Sequence, residues 1–131
     1  MATSLFEQYL KGKISAKKVS YSANSTIISE KDIAKEMYFI ESGQVKITRM
    51  VPEIEREITI ATLGPNEFLG LVGLVMKKPR IADVVAVTDC VLWTLDEKSF
   101  REAIAKSPEF AHLVIEGLCR RLNNLNEKIR N

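Results

Sequence analysis

The 131-residue sequence is poor in metal-binding and redox residues, with two cysteines and a single histidine. Cys90 and Cys119 stand far apart with no CxxC spacing, and His112 has no second histidine to work with, which argues against zinc or iron–sulfur ligation. The two thiols read as reduced and buried rather than as a disulfide. No N-terminal stretch joins a basic segment, an apolar segment and a small-residue cleavage site. No apolar run approaches the roughly 20 residues of a membrane-spanning helix. The expected compartment is therefore the cytoplasm, with no membrane partner. Charge of one sign is also lacking: a formal net charge of +2 with interspersed signs gives no clustered cationic field of the kind that drives nucleic-acid binding. The basic group Lys11, Lys13, Lys17 and Lys18 reads as a solvated face. A nucleophile elbow, a P-loop and a metal motif are all missing, so no enzyme and no cofactor are expected.

With 46% hydrophobic residues, the chain has enough apolar material for one domain over 1–131. Ser4 and Glu7 form a capping box for a short helix over about 4–11, ended by Gly12. The middle, about 18–96, is a series of short β-rich runs: Val19–Tyr21, Thr26–Ile28, Met37–Ile40, Gln44–Met50, Arg56–Leu63, Ala82–Val87 and Val91–Leu95. Val45 and Ile47 alternate with Lys46 and Thr48, and Ile58 and Ile60 with Thr59 and Ala61, which predicts a hairpin with one buried face per strand. Its turn would be Val51-Pro52-Glu53-Ile54-Glu55. From 97 to 130 the pattern becomes helical. Asp96 caps a helix to about Lys106 with Phe100, Ala103 and Ile104 on one face. Ser107-Pro108-Glu109 restarts a longer helix. On it Ile115, Leu118, Leu122, Leu125 and Ile129 recur at steps of three and four, a seam for a homodimer or for the core.

Several segments carry a family resemblance. They are Tyr21 to Asp32, Met37-Tyr38-Phe39-Ile40-Glu41-Ser42-Gly43-Gln44-Val45, Pro65 to Gly70, Pro79 to Val84, and Ser107-Pro108 followed by Arg120-Arg121-Leu122. In order and spacing they resemble the cyclic-nucleotide-binding domain family, which includes the sensor halves of catabolite-activator-type regulators and the regulatory subunits of cyclic-AMP-dependent kinase. The resemblance spans about Val19 to Ile129. It implies a mainly β fold, a jelly-roll-like double-stranded β-barrel with a short phosphate-cassette helix and a long C-terminal helix.

It also implies a ligand site at Gly70, Leu71, Val72, Gly73, Arg80, Ile81 and Ala82. The short helix after Gly70 would turn backbone N–H groups toward an anion, and Arg80 would present a planar fork to two phosphate oxygens. The family's ribose-binding Glu is replaced by Leu71, and Ile81 and Asp83 stand where a Ser or Thr is usual. Losing the acceptor for a buried 2′-hydroxyl costs on the order of 1–3 kcal/mol. Cyclic AMP or cyclic GMP binding is thus expected to be weak, altered or absent, and another small anion is an open alternative. Arg80 has a second reading as an ion-pair partner of Asp83 or Glu67. Asn123 and Asn126 would face the base as a lid, or else are ordinary solvated residues. Two functions follow: a ligand-sensing regulatory module that acts through its C-terminal helix and not on nucleic acid by itself, or a ligand-free structural or dimerisation domain.

Overall fold

The computed structural model describes residues 16–130, with side chains through Glu127. The expected helix over 4–11, Lys11, Lys13 and the Ile129 side chain lie outside the described residues. Among these residues eight strands form two antiparallel four-stranded sheets. Their spans are β1 Lys17–Tyr21, β2 Thr26–Ile28, β3 Glu36–Ser42, β4 Val45–Val51, β5 Arg56–Leu63, β6 Phe68–Leu69, β7 Asp83–Ala86 and β8 Cys90–Asp96. Among the described residues three α-helices complete the order: α1 Leu71–Met76, α2 Glu97–Lys106 and α3 Pro108–Arg130. One sheet runs β1-β8-β3-β6 and the other β2-β7-β4-β5. This is the expected jelly-roll arrangement, except that no strand pairs across the two sheets among the described residues, so the barrel is open. No described helix is long and apolar enough to cross a membrane.

β3 explains why the two sheets stack beneath a helical layer. Met37, Tyr38, Phe39 and Ile40 are all buried, and because strand side chains alternate, they serve two cores. Met37 and Phe39 pack with Phe68, Leu71, Leu74, Phe100, Phe110 and Val114 on the helix side. Tyr38 and Ile40 pack with Val45, Leu69, Val84, Ala86 and Leu92 between the sheets. Each fully buried side chain of this size contributes about 1.5–3 kcal/mol relative to exposure.

The helix starts follow their capping chemistry. The Asp96 carboxylate accepts from the Ser99 N–H at 2.8 Å, and the Ser107 hydroxyl accepts from the Phe110 N–H at 3.1 Å, with Pro108 first in α3. β4 and β5 pair as the expected hairpin, through a 3-10 turn at Pro52–Ile54 and a left-handed Glu55.

Four expectations are corrected. Thr48 is buried, not exposed, because the β4–β5 register shifts between Ile47 and Thr48. Ile58 and Ile60 are exposed, since β5 is an outer strand whose far half has no covering layer. Ile104 is exposed while Phe100 and Ala103 of the same helix are buried. Cys119 is exposed on α3, so only Cys90 is the buried thiol expected.

Candidate functional site

The cassette is built from β6 outward. Tyr38 pairs with Leu69 and Phe39 with Phe68, which delivers Gly70 to the start of α1 in the left-handed region at φ 82°. Glycine is needed there for a second reason. A Cβ would lie 2.9 Å from Arg80 Nη1 and 3.2 Å from the Glu36 carbonyl oxygen, so a side chain would displace the guanidinium. Lys77, also left-handed, ends α1, and its N–H returns to the Gly73 carbonyl. The chain then runs back along the β2–β3 loop. The Lys31 N–H donates to the Arg80 carbonyl at 2.8 Å, and the Arg80 N–H donates to the Asp32 carbonyl at 2.9 Å. Two backbone hydrogen bonds thus fix where the arginine side chain begins.

That side chain is 9% exposed. Its Nη1 donates to the Gly70 carbonyl at 2.7 Å and its Nη2 to the Glu36 carbonyl. No described carboxylate lies within ion-pair distance of it. Burial pulls the Arg80 pKa below its ordinary value, opposed by Tyr38, Asp32 and Glu36. The Tyr38 phenol is pushed up to about 12, chiefly by burial and then by the nearby Tyr21 and Glu36. The neighbourhood is therefore a guanidinium held by two carbonyl dipoles near the neutral Tyr38 phenol, with Asp32 and Glu36 favouring its charge from beyond ion-pair distance.

The other expected residues separate from this centre. Leu71 is buried in the helix-side core with Phe68 and Leu74. Val72 and Ile81 face solvent, and Ala82 is buried. The Asp83 carboxylate accepts from the Glu30 N–H at 2.6 Å, and that of Glu67 from the Gly64 N–H at 2.7 Å. Neither pairs with Arg80, so the ion-pair reading is not realised. Asn123 and Asn126 are exposed on α3. Of the seam, Ile115, Leu122 and Leu125 are exposed, while Leu118 packs partly on the helix-side core.

Sequence reasoning missed the partners of Arg80, because two are backbone carbonyls and Tyr38 is hidden in a run that reads as core. It also assigned no role to Arg121. This guanidinium lies 4.8 Å over the Phe68 ring, and its Nη2 is buried with no hydrogen-bond partner among the described residues. Burial lowers its pKa, and Glu67 opposes the shift. One turn earlier, a Cβ on Gly117 would sit 2.5 Å from Phe68 Cε1. Phe68 is thus clasped by α3 immediately before the cassette. The available signal was Gly117 itself, since a mid-helix glycine costs about 1 kcal/mol and implies a close approach.

Residues 18–107 match the model of the cyclic nucleotide-binding domain family. A CRP-like cAMP-activated global transcriptional regulator of Mycobacterium tuberculosis is 28% identical over 111 residues, 85% of this chain and 49% of that protein. A global nitrogen regulator of Nostoc sp. is 31% identical over 120 residues, 90% of this chain and 53% of that one. The chain thus spans about half the length of these relatives. The crystal structure of Thermus thermophilus catabolite activator protein superposes with a TM-score of 0.79 at 28% identity, covering 96% of this chain and 59% of that one.

Proposed function

We propose, because the chain belongs to the cyclic nucleotide-binding domain family, that it is a regulatory ligand-sensing module whose Arg80 receives a small anion. A cyclic nucleotide would be bound weakly or in an altered mode. The observation that carries this reading is the buried Arg80 guanidinium, held by two backbone carbonyls and with no described carboxylate within 4.0 Å. A desolvated charge without a paired counter-ion costs several kcal/mol, and the carbonyls of Gly70 and Glu36, with the more distant charges of Asp32 and Glu36, offset part of that. An anion entering the cassette would complete the compensation through the two-pronged geometry of the guanidinium.

The altered mode rests on the neighbours. Leu71 has no acceptor for a ribose hydroxyl and is turned into the core, and exposed Ile81 has no hydroxyl to donate. Losing one such hydrogen bond corresponds to roughly a tenfold to hundredfold loss of affinity. The signal would reach α3 through Phe68, which begins the cassette strand and is held by Gly117 and Arg121. The exposed residues Ile115, Leu122 and Leu125 favour α3 as the contact surface of a homodimer. The module is regulatory rather than catalytic, in keeping with the names its relatives carry.

The test is a thermal-shift series with cyclic AMP, cyclic GMP and inorganic phosphate on the wild type and on Arg80→Gln. A ligand at a hundred times its dissociation constant stabilises the native state by about 2.7 kcal/mol, visible as a shift of several degrees. The expected result is a shift in the wild type that Arg80→Gln removes. No shift with any of the three would favour the alternative, a ligand-free dimerisation domain whose Arg80 serves only to tie Gly70 to Glu36.

A further inference from the structure

We propose that the cavity behind the cassette is a second binding site, for a small apolar acid. The cavity measures about 280 Å³, near the lower end of the ~300–1,000 Å³ found for small-molecule pockets. Three elements form it: the loop before β3, α1 with the turn that follows, and the first residue of α2. Ile33, Ala34, Leu74 and Pro79 supply apolar walls. Ile33 is 76% exposed, so an occupant would take that side chain out of water, which is favourable without any directional contact.

The rim chooses the charge of the occupant. Lys77 Nζ meets Glu97 Oε2 at 2.5 Å, and Arg101 meets the other oxygen of the same carboxylate at 2.9 Å. Glu97 is therefore shared between two cations. Lys78, exposed on the same rim, meets no described carboxylate within 4.0 Å. A carboxylate on an apolar body would accept from Lys78 and compete with Glu97 for Lys77, while the body lies against Ile33 and Leu74. A neutral apolar molecule leaves Lys78 uncompensated, and a bare phosphate leaves the walls in water.

Occupancy would be felt at Arg80. Gly73 lines the cavity, and a Cβ there would lie 2.8 Å from Ala34 Cβ and 3.4 Å from Arg80 Nη1. The wall between the cavity and the guanidinium is one residue thick. Drawing Lys77 away from Glu97 also unties α1 from α2. The acid site stands on its own geometry; only its coupling to an anion at Arg80 rests on the proposed function, and that coupling must be reciprocal.

The probe is octanoate, with octanamide as its neutral counterpart, titrated into the isotopically labelled full chain and followed by amide chemical shifts. The expected result is saturable movement of Ala34, Gly73, Leu74 and Lys78, with octanamide and the Lys78→Gln variant each weaker by up to about fivefold, as for an exposed ion pair. Glu97→Gln, which removes the competitor for Lys77, tightens octanoate. Equal affinity for acid and amide, shifts centred on Tyr38 and Arg80, or no saturable shift overturns the proposal. The acid–amide comparison needs no substitution, so a poorly folding variant does not blunt it. Failure of the anion reading would show separately, as phosphate and cyclic nucleotides leaving Arg80 unmoved while octanoate still binds.

Discussion

The two sheets are built from similar apolar strand sequences and are used differently. In the β1-β8-β3-β6 sheet the inner strand β3 is covered on both faces, so the run Met37 to Ile40 is buried throughout, while β1 at the edge is largely exposed. The β2-β7-β4-β5 sheet is covered on one face, and β5 at its edge exposes five residues in a row from Arg56 to Ile60. A β-branched residue in a strand therefore says that the strand fits a pleated surface, not that the residue is covered. The covering layer decides, and here it consists of α1, α2 and α3 lying on one sheet only. The cassette arises where this sheet ends, at β6, whose two residues are buried, so the candidate anion site is anchored beside the helix-covered core.

The strongest way to break this comparison is to remove matched side chains from the two sheets. Phe39→Ala, with contacts in the helix-side core, is expected to cost about 3–5 kcal/mol of unfolding free energy. Ile58→Ala on β5, 43% exposed, should stay within about 0.5 kcal/mol. Urea denaturation with a common slope checks both. Similar losses at the two positions would mean that β5 is covered in solution and that the asymmetry is false.

Alkaline pH offers a second probe, because the second sheet contains no tyrosine whereas the first places Tyr38 in the interior. The folded-state pKa of Tyr38, about 12, lies above the ordinary phenol value of 10.0. Below pH 10 the phenol keeps its proton whether the chain is folded or not, and the contribution is fully present. As pH rises from 10 to about 12 the unfolded chain loses that proton first, and up to about 3 kcal/mol of stability is lost. Tyr38→Phe should flatten that part of a stability–pH curve. An unchanged slope would place the phenol in water.

How much of this was legible follows the same division. The hairpin, its proline turn and both helix caps were readable because each depends on residues close in sequence. The helix-side core was readable at Phe100 and Ala103 but not at Ile104, since periodicity gives the centre of an apolar face and not its edge. The buried Thr48 was not readable, because a register shift is a property of a strand pair. At the site, Gly70 and Arg80 were identified and their contact was not: the carbonyl of Glu36, 44 residues away in sequence, has no side-chain signature. Asp83, which reads as an ion-pair partner of Arg80, serves the Glu30 N–H instead.

A smaller effect tests the link between the helix-covered sheet and α3. Gly117→Ala places a methyl group against the Phe68 ring, where the unrelaxed Cβ position is 2.5 Å from Cε1. Overpacking of this kind typically costs about 1–3 kcal/mol, partly offset here by the better helix propensity of alanine. The informative reading is the difference between sites: amide shifts should move at Phe68 to Gly70 and not in β5. Movement confined to α3 would show that Phe68 does not carry strain from the helix into the cassette.

The smallest expected change in fold stability comes from the exposed part of α3. Leu122→Lys removes an apolar side chain that is 62% exposed, so the unfolding free energy should move by no more than about 0.5 kcal/mol at protein concentrations too low for association. Leu118→Lys, four residues earlier and packed partly against the helix-side core, should cost several times more. Their effects on mass separate the two roles of the same seam. If Ile115, Leu122 and Leu125 form a dimer contact, light scattering will report half the wild-type mass for Leu122→Lys while the fold is intact. An unaltered mass would remove α3 as the interface and leave its apolar row, like that of β5, as surface that the monomer keeps in water.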